Sequence, residues 1–180
     1  MLNLFNRSLM EVNNSETDTF DQAKTHDGIV ISQNGVHAKS SKGNYDWNST
    51  QAKIAMDGGK HSSTVLIDEG THFMLGVAHK FQDKNERNNF LLPNSYCLHS
   101  NGYVIYDGDA HPYTSAFQSG PRSVEIVLDM ELPSLRFKIN GLDKGVAFNG
   151  DQLKQGDYFL TVGLYHSAVT ILKSVHEVNN

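Results

Sequence analysis

The run Asp107-Gly108-Asp109-Ala110-His111 sets acid and imidazole two residues apart, a spacing that could bring metal donors together. It has neither the oxygen-ligand count nor the terminal bidentate carboxylate of a calcium loop, so it is read as a turn, without metal. Cys97, in the apolar-flanked S-Y-C-L, is expected to be a buried small hydrophobe rather than a nucleophile. The chain has nine histidines, yet no G-x-S-x-G, H-E-x-x-H or phosphate-cradling glycine loop surrounds them. No catalytic residue and no cofactor are expected, and the residues left to carry function are those of recognition. Foremost is the loop Tyr45-Asp46-Trp47, which holds the sole tryptophan. Exposed Tyr and Trp are disproportionately interface anchors, while the alternative is that Trp47 folds back to plug one end of the domain.

The elements that must position such residues follow from length and pattern. A chain of 180 residues builds one sizeable core. Its net charge of −5, with Lys and Arg scattered, offers no basic stripe for nucleic acid. No apolar run approaches the roughly 20 residues of a membrane helix, and the opening M-L-N-L-F-N-R-S-L-M-E-V, broken by Asn3, Asn6, Arg7 and Glu11, resembles neither signal peptide nor anchor. One cysteine permits no intrachain disulfide, so a reducing, cytoplasmic setting is expected, in which the Asn-x-Ser/Thr triplets at Asn6, Asn13 and Asn48 are chance. Residues 1–20 contain the polar run N-N-S-E-T-D-T and are expected to form a flexible arm, with residues 21–180 as a single domain.

Within that domain the pattern is β throughout. Gly28–Ser32 and Val36–Lys39 flank a turn, Ala52–Met56 precedes Asp57-Gly58-Gly59, and Tyr96–Ser100 and Tyr103–Tyr106 flank Asn101-Gly102. S-S-T-V-L-I-D and F-M-L-G-V-A are short apolar runs, expected to be central strands buried on both faces. Leu135, Phe137 and Ile139 share a parity opposite to Arg136 and Lys138, one dry face and one wet. Asn140-Gly141 turns this strand, with Asp143, Lys144 and Gly145 expected to lengthen the loop before Val146. About a dozen short strands with regular turn signals imply an all-β, antiparallel two-sheet sandwich.

Four pieces in order, G-G-K-H-S-S-T-V-L-I, F-M-L-G-V-A, S-V-E-I-V-L-D-M-E-L-P-S-L-R-F-K-I-N-G-L-D-K-G-V-A-F and Y-F-L-T-V-G-L-Y, resemble the SPRY domain family over roughly residues 55–174. Gly59–His61, Leu75–Ala78, Leu128–Asp129 and Leu135–Phe148 carry the likeness, and G-I-V-I-S-Q-N-G-V resembles the N-terminal extension that completes the sandwich. One departure is clear: where many members have His-Tyr-Trp-Glu, this chain has His61-Ser62-Ser63-Thr64. The resemblance implies a sandwich of concanavalin-like jelly-roll architecture. It also implies a module that binds a peptide or partner protein through loops at one end; from the lack of a catalytic motif, basic stripe or apolar span in the sequence, a non-enzymatic role is expected, with neither nucleic acid, membrane nor small-molecule cofactor as partner. By the same likeness Tyr165-His166 and His79-Lys80 are expected near one rim, with Tyr45, Asp46 and Trp47 completing it and the Asn140 turn at the opposite end. A permanent structural subunit of a large assembly is the alternative, and a carbohydrate-binding, lectin-like domain a further one.

Overall fold

In a computed structural model that describes residues 17–86, 89–117 and 122–177, the chain forms two seven-stranded sheets. In chain order the strands are β1 (Phe20–Thr25), β2 (Ile29–Ser32), β3 (His37–Ser40), β4 (Asn48–Met56), β5 (Lys60–Glu69), β6 (His72–His79) and β7 (Ser95–His99). They continue as β8 (Tyr103–Tyr106), β9 (Asp109–Pro112), β10 (Arg122–Asp129), β11 (Ser134–Ile139), β12 (Leu142–Asn149), β13 (Tyr158–Tyr165) and β14 (Ala168–Glu177). The first sheet runs β1-β4-β13-β6-β7-β8-β9 and the second β12-β11-β10-β5-β14-β3-β2, each with antiparallel neighbours. The expected sandwich is the observed one.

Period-two alternation builds the core. Phe73, Leu75 and Val77 of β6 and Tyr158, Leu160, Val162 and Leu164 of β13 face Val124, Ile126, Leu128, Leu135 and Phe137 of the other sheet. β6 is buried on both faces, as expected, but β5 is not, since only its inward set His61, Ser63, Val65 and Ile67 is buried. This chain places two polar pairs between β5 and β14. Ser63 and Ser174 hydroxyls lie 3.3 Å apart, and His61 and His176 Nδ1 atoms 2.9 Å apart. His61 Nε2 donates to the Gly58 carbonyl (2.5 Å), so in the neutral ring Nδ1 accepts from His176.

Three local expectations are corrected. Asn140 and Gly141, both at positive φ (51° and 80°), close a two-residue turn, and β12 starts at Leu142. Asp143–Gly145 therefore belong to the strand, whose register shifts near Gly145 at φ 86°. That turn also lies at the same end of the sandwich as Tyr165. Val124 pairs with Ile139 and Arg122 with Ile67, and β5 leaves from there into β6 at His72. The arm boundary moves as well. Asp18 and Phe20 are buried (1% and 2% exposed), because Asp18 Oδ1 accepts the N–H groups of Thr19, Lys53 and Ile54 and Phe20 enters the core. Residues 1–16 lie outside the described residues.

Gly76 is required by packing. A Cβ there would stand 1.9 Å from the Tyr96 carbonyl oxygen of β7. Asp107 and Gly108 form the β8–β9 turn at positive φ, and Asp109–Pro112 is an exposed edge strand. Among the described residues no group of three His, Cys, Asp or Glu side chains is placed to hold a metal.

Candidate functional site

The outer face of the first sheet is covered by the connection between β6 and β7. Phe81 N–H donates to Gln51 Oε1 (3.0 Å), while Gln51 Nε2 donates to the His79 carbonyl (2.9 Å) and Thr161 Oγ1 (3.1 Å). Further along, Lys84 and Asn85 reach Asp27. Phe90 is fully buried in a small cluster with Met74, Cys97 and Ile105. Gly163 makes room for it, since a Cβ there would sit 3.3 Å from the Phe90 ring. Cys97 is fully buried, as expected, and burial raises its thiol pKa, which keeps it protonated.

Trp47 packs on the margin of this cluster and continues it outward as a rim of rings. Its centroid lies 5.4 Å from His99 and 5.8 Å from Tyr165. Tyr165 is 5.8 Å from His72 and 4.6 Å from His166, whose ring meets Tyr45 at 5.1 Å. Each ring is delivered by a strand end. β6 starts at His72, β7 finishes at His99, β13 finishes at Tyr165, and the loop before β4 supplies Tyr45, Asp46 and Trp47. His166 takes the left-handed conformation (φ 48°), which turns the chain sharply into β14. Ser167 Oγ fixes that corner by donating to the carbonyls of His72 (2.8 Å) and Tyr165 (3.0 Å).

Of the residues expected at one rim, Tyr45, Asp46, Trp47, Tyr165 and His166 stand together. His79 and Lys80 do not. In the antiparallel β6–β13 pair, Tyr165 opposes His72 and His79 opposes Tyr158. Seven residues of strand, about 23 Å, separate His79 from the rim. His79 is instead a structural contact, 4.5 Å from the Tyr158 ring, with Nε2 donating to the Gln155 carbonyl (2.9 Å). Trp47 is half-buried, and Tyr45 is 74% exposed, so the loop combines a plug with an available anchor. His72 and His99 join the rim without having been read from sequence. Strand parity sets them on the outer face with Met74 and Cys97, but their meeting depends on the β6–β7 register, in which Met74 opposes His99.

The rim presents large rings with polar tips, with the Thr71 hydroxyl 3.1 Å from His72 Nδ1 and that of Ser167 against the His72 and Tyr165 carbonyls. Burial lowers the pKa of His99 below the ordinary imidazole value, and the neighbouring His72 adds to this. Two ion pairs flank the rim, Lys39 with Glu69 (2.6 Å) and Lys84 with Asp27 (2.5 Å).

Comparison with known proteins agrees with the fold. The family model of the SPRY domain matches residues 60–174. Among solved structures, the SPRY domain of human HERC1 superposes with a TM-score of 0.70 at 19% identity, covering 84% of this chain and 96% of that one. The TRIM65 PSpry domain gives 0.69 at 17% identity over 87% and 92% of the two chains. Stonustoxin gives 0.67 at 15%, with 87% of this chain matching 27% of that one. No curated protein matches by sequence. At these identities the structures speak for the fold alone.

Proposed function

We propose, from the premise that this chain belongs to the SPRY domain family, that it is a non-enzymatic protein-interaction module whose partner docks on the rim of Tyr45, Asp46, Trp47, Tyr165 and His166. The observation that carries this reading is the ring network itself. Five strand ends and loops of the sandwich converge to hold six aromatic and imidazole rings in contact at one margin. Rings held by strand ends lose little conformational freedom when a partner arrives, and Tyr and Trp bring large apolar faces with hydrogen-bonding tips. The floor is rigid because Trp47 leans on the buried Phe90 cluster. A peptide or protein surface with an apolar side chain suits such a floor. The lone, buried Cys97 supports a reducing, cytoplasmic setting.

The test is enrichment of binding proteins from the native source on the immobilised full chain, with Tyr45→Ala and Tyr165→Ala in parallel and Leu132→Ala as control. Leu132 is 77% exposed in the β10–β11 turn at the far end. The reading expects a protein retained by the wild type and the Leu132 variant and depleted by both tyrosine variants, as quantified by mass spectrometry. Partners retained equally by all four proteins would refute the assignment of the rim.

A further inference from the structure

Three of the chain's nine histidines, His72, His99 and His166, gather in the rim. The removal of Lys80 to the other end changes what those imidazoles mean. Of the ammonium groups around the rim, Lys39 is committed to Glu69 and Lys84 to Asp27, while Lys42, exposed three residues before Tyr45 in the same loop, is a third. Asp46, the acid of the loop itself, is near enough to act on the charge of His26. Asp68 beside β3 bonds Thr170 and lies 3.7 Å from His37, and Asp83 of the β6–β7 connection also acts on His26. Among the described residues, the positive charge at the rim that varies near neutral pH is therefore imidazole charge, added to that of Lys42: nearly absent when the rings are neutral and as large as three units when all are protonated.

We propose that the rim selects an acidic peptide segment and that its hold on that segment is switched on by protonation of His72, His99 and His166. The proposal rests on the reading of the rim as the partner site. Two effects favour the protonated rings once such a segment is bound. A carboxylate brought within about 4–6 Å of an imidazolium stabilises it by direct attraction, and the excess of carboxylates over cations in an acidic segment supplies this at more than one ring. The aromatic neighbours act in the same direction, since each imidazole already touches Trp47, Tyr165 or Tyr45, and an aromatic ring prefers a cation to a neutral partner. The free protein resists this charging at His99, which is half-buried beside His72. Ligand and proton thus bind cooperatively, and the linkage is reciprocal.

The test pans the full chain against a phage-displayed library of random peptides at about pH 5.5 and, separately, at about pH 7.5. Enriched sequences are then titrated as synthetic peptides, with far-UV circular dichroism confirming the fold at both values. The expected result is enrichment of Asp- and Glu-rich peptides at the lower pH, with Kd rising about tenfold or more at the higher. The double variant His72→Gln, His166→Asn should lose most of that pH dependence, read as the ratio of its own Kd values at the two pH values; asparagine is chosen because it tolerates the positive φ at 166. In parallel, emission from Trp47, the sole tryptophan, should fall on acidification as the adjacent His99 imidazolium quenches it, and His99→Gln should abolish the drop. Peptides that bind the rim equally at both pH values, or that are not acidic, overturn the proposal and leave the partner site standing. Failure of every peptide to bind at either pH, or binding that Tyr165→Ala leaves intact, overturns both.

Discussion

Replacement of Asp18 by alanine shows how firmly the first strand is hooked to the sandwich. The Asp18 side chain is buried, and its Oδ1 accepts N–H groups from Thr19 (2.7 Å), Lys53 (3.2 Å) and Ile54 (3.2 Å). These last two lie where the β4–β13 register jumps between Gln51 and Ala55, so the carboxylate fills a gap in the ladder. Lys53 N–H keeps a bond to the Thr19 carbonyl (2.9 Å), which leaves Thr19 and Ile54 as the donors that lose their acceptor. At about 1–3 kcal/mol for each buried unpaired donor, less what is regained by no longer burying a carboxylate, Asp18→Ala should cost about 2–4 kcal/mol. Asp18→Asn keeps the acceptor and should cost under about 1 kcal/mol. The pH dependence separates the two ideas. Burial, opposed by the Ile54 N–H and weaker contacts, raises the Asp18 pKa, so between the unfolded and folded values the native state holds the proton more tightly. This group therefore adds stability as pH falls through its folded pKa, and Asp18→Asn should lose that gain. Urea unfolding of the three proteins at about pH 7 and pH 4.5, followed by Trp47 emission, gives all the numbers. An alanine variant as stable as wild type, or an asparagine variant as damaged as the alanine one, would refute the hook.

Other outcomes follow from the packing. Gly76→Ala should destabilise by about 3 kcal/mol or more, because its Cβ would meet the backbone of β7 rather than a side chain that can move; a melting temperature within a degree or so of wild type would contradict the close approach. Phe137→Ala should cost about 3–5 kcal/mol and Arg136→Ala under about 1, and similar denaturation midpoints would overturn the register of β11. Burial lowers the pKa of His26, His61 and His99, so the unfolded chain takes up protons before the native one does. Their contribution is complete above about pH 6.5 and is lost as pH falls through their folded values. The melting temperature should thus drop between about pH 7 and pH 5.5, and a flat profile would contradict the buried His61–His176 pair.

Much of the fold was legible because the signals were local. Asn101-Gly102 and Asn140-Gly141 mark their hairpins by residues that accept positive φ, and the parity of Leu135, Phe137 and Ile139 names the buried face. β1 was missed because F-D-Q-A-K-T alternates poorly: its buried ends are Phe20 and Thr25, the latter held by a hydroxyl bond to Thr50 (2.7 Å). Asp18 looked like part of a polar arm because a charge satisfied by backbone N–H groups has no signature in sequence. The site divides in the same way. The aromatic loop points to Tyr45 and Trp47 and the family resemblance to Tyr165, while the same resemblance places His79 at the wrong end, because neither it nor strand parity fixes the end of the sandwich that a strand reaches. Only the antiparallel pairing of β6 with β13 decides that, by setting His72, not His79, against Tyr165.

The central claim, that the partner sits on the Tyr165 rim, is tested most directly by titrating a recovered partner or peptide against wild type, Tyr165→Ala, His79→Ala and Leu132→Ala. Tyr165→Ala should raise Kd by about 30-fold, the ~2 kcal/mol of an interface hot spot, with its circular dichroism unchanged, while the two variants at the far end bind like wild type. Wild-type affinity in Tyr165→Ala together with lost binding in His79→Ala would contradict the account and move the partner to the other end of the sandwich.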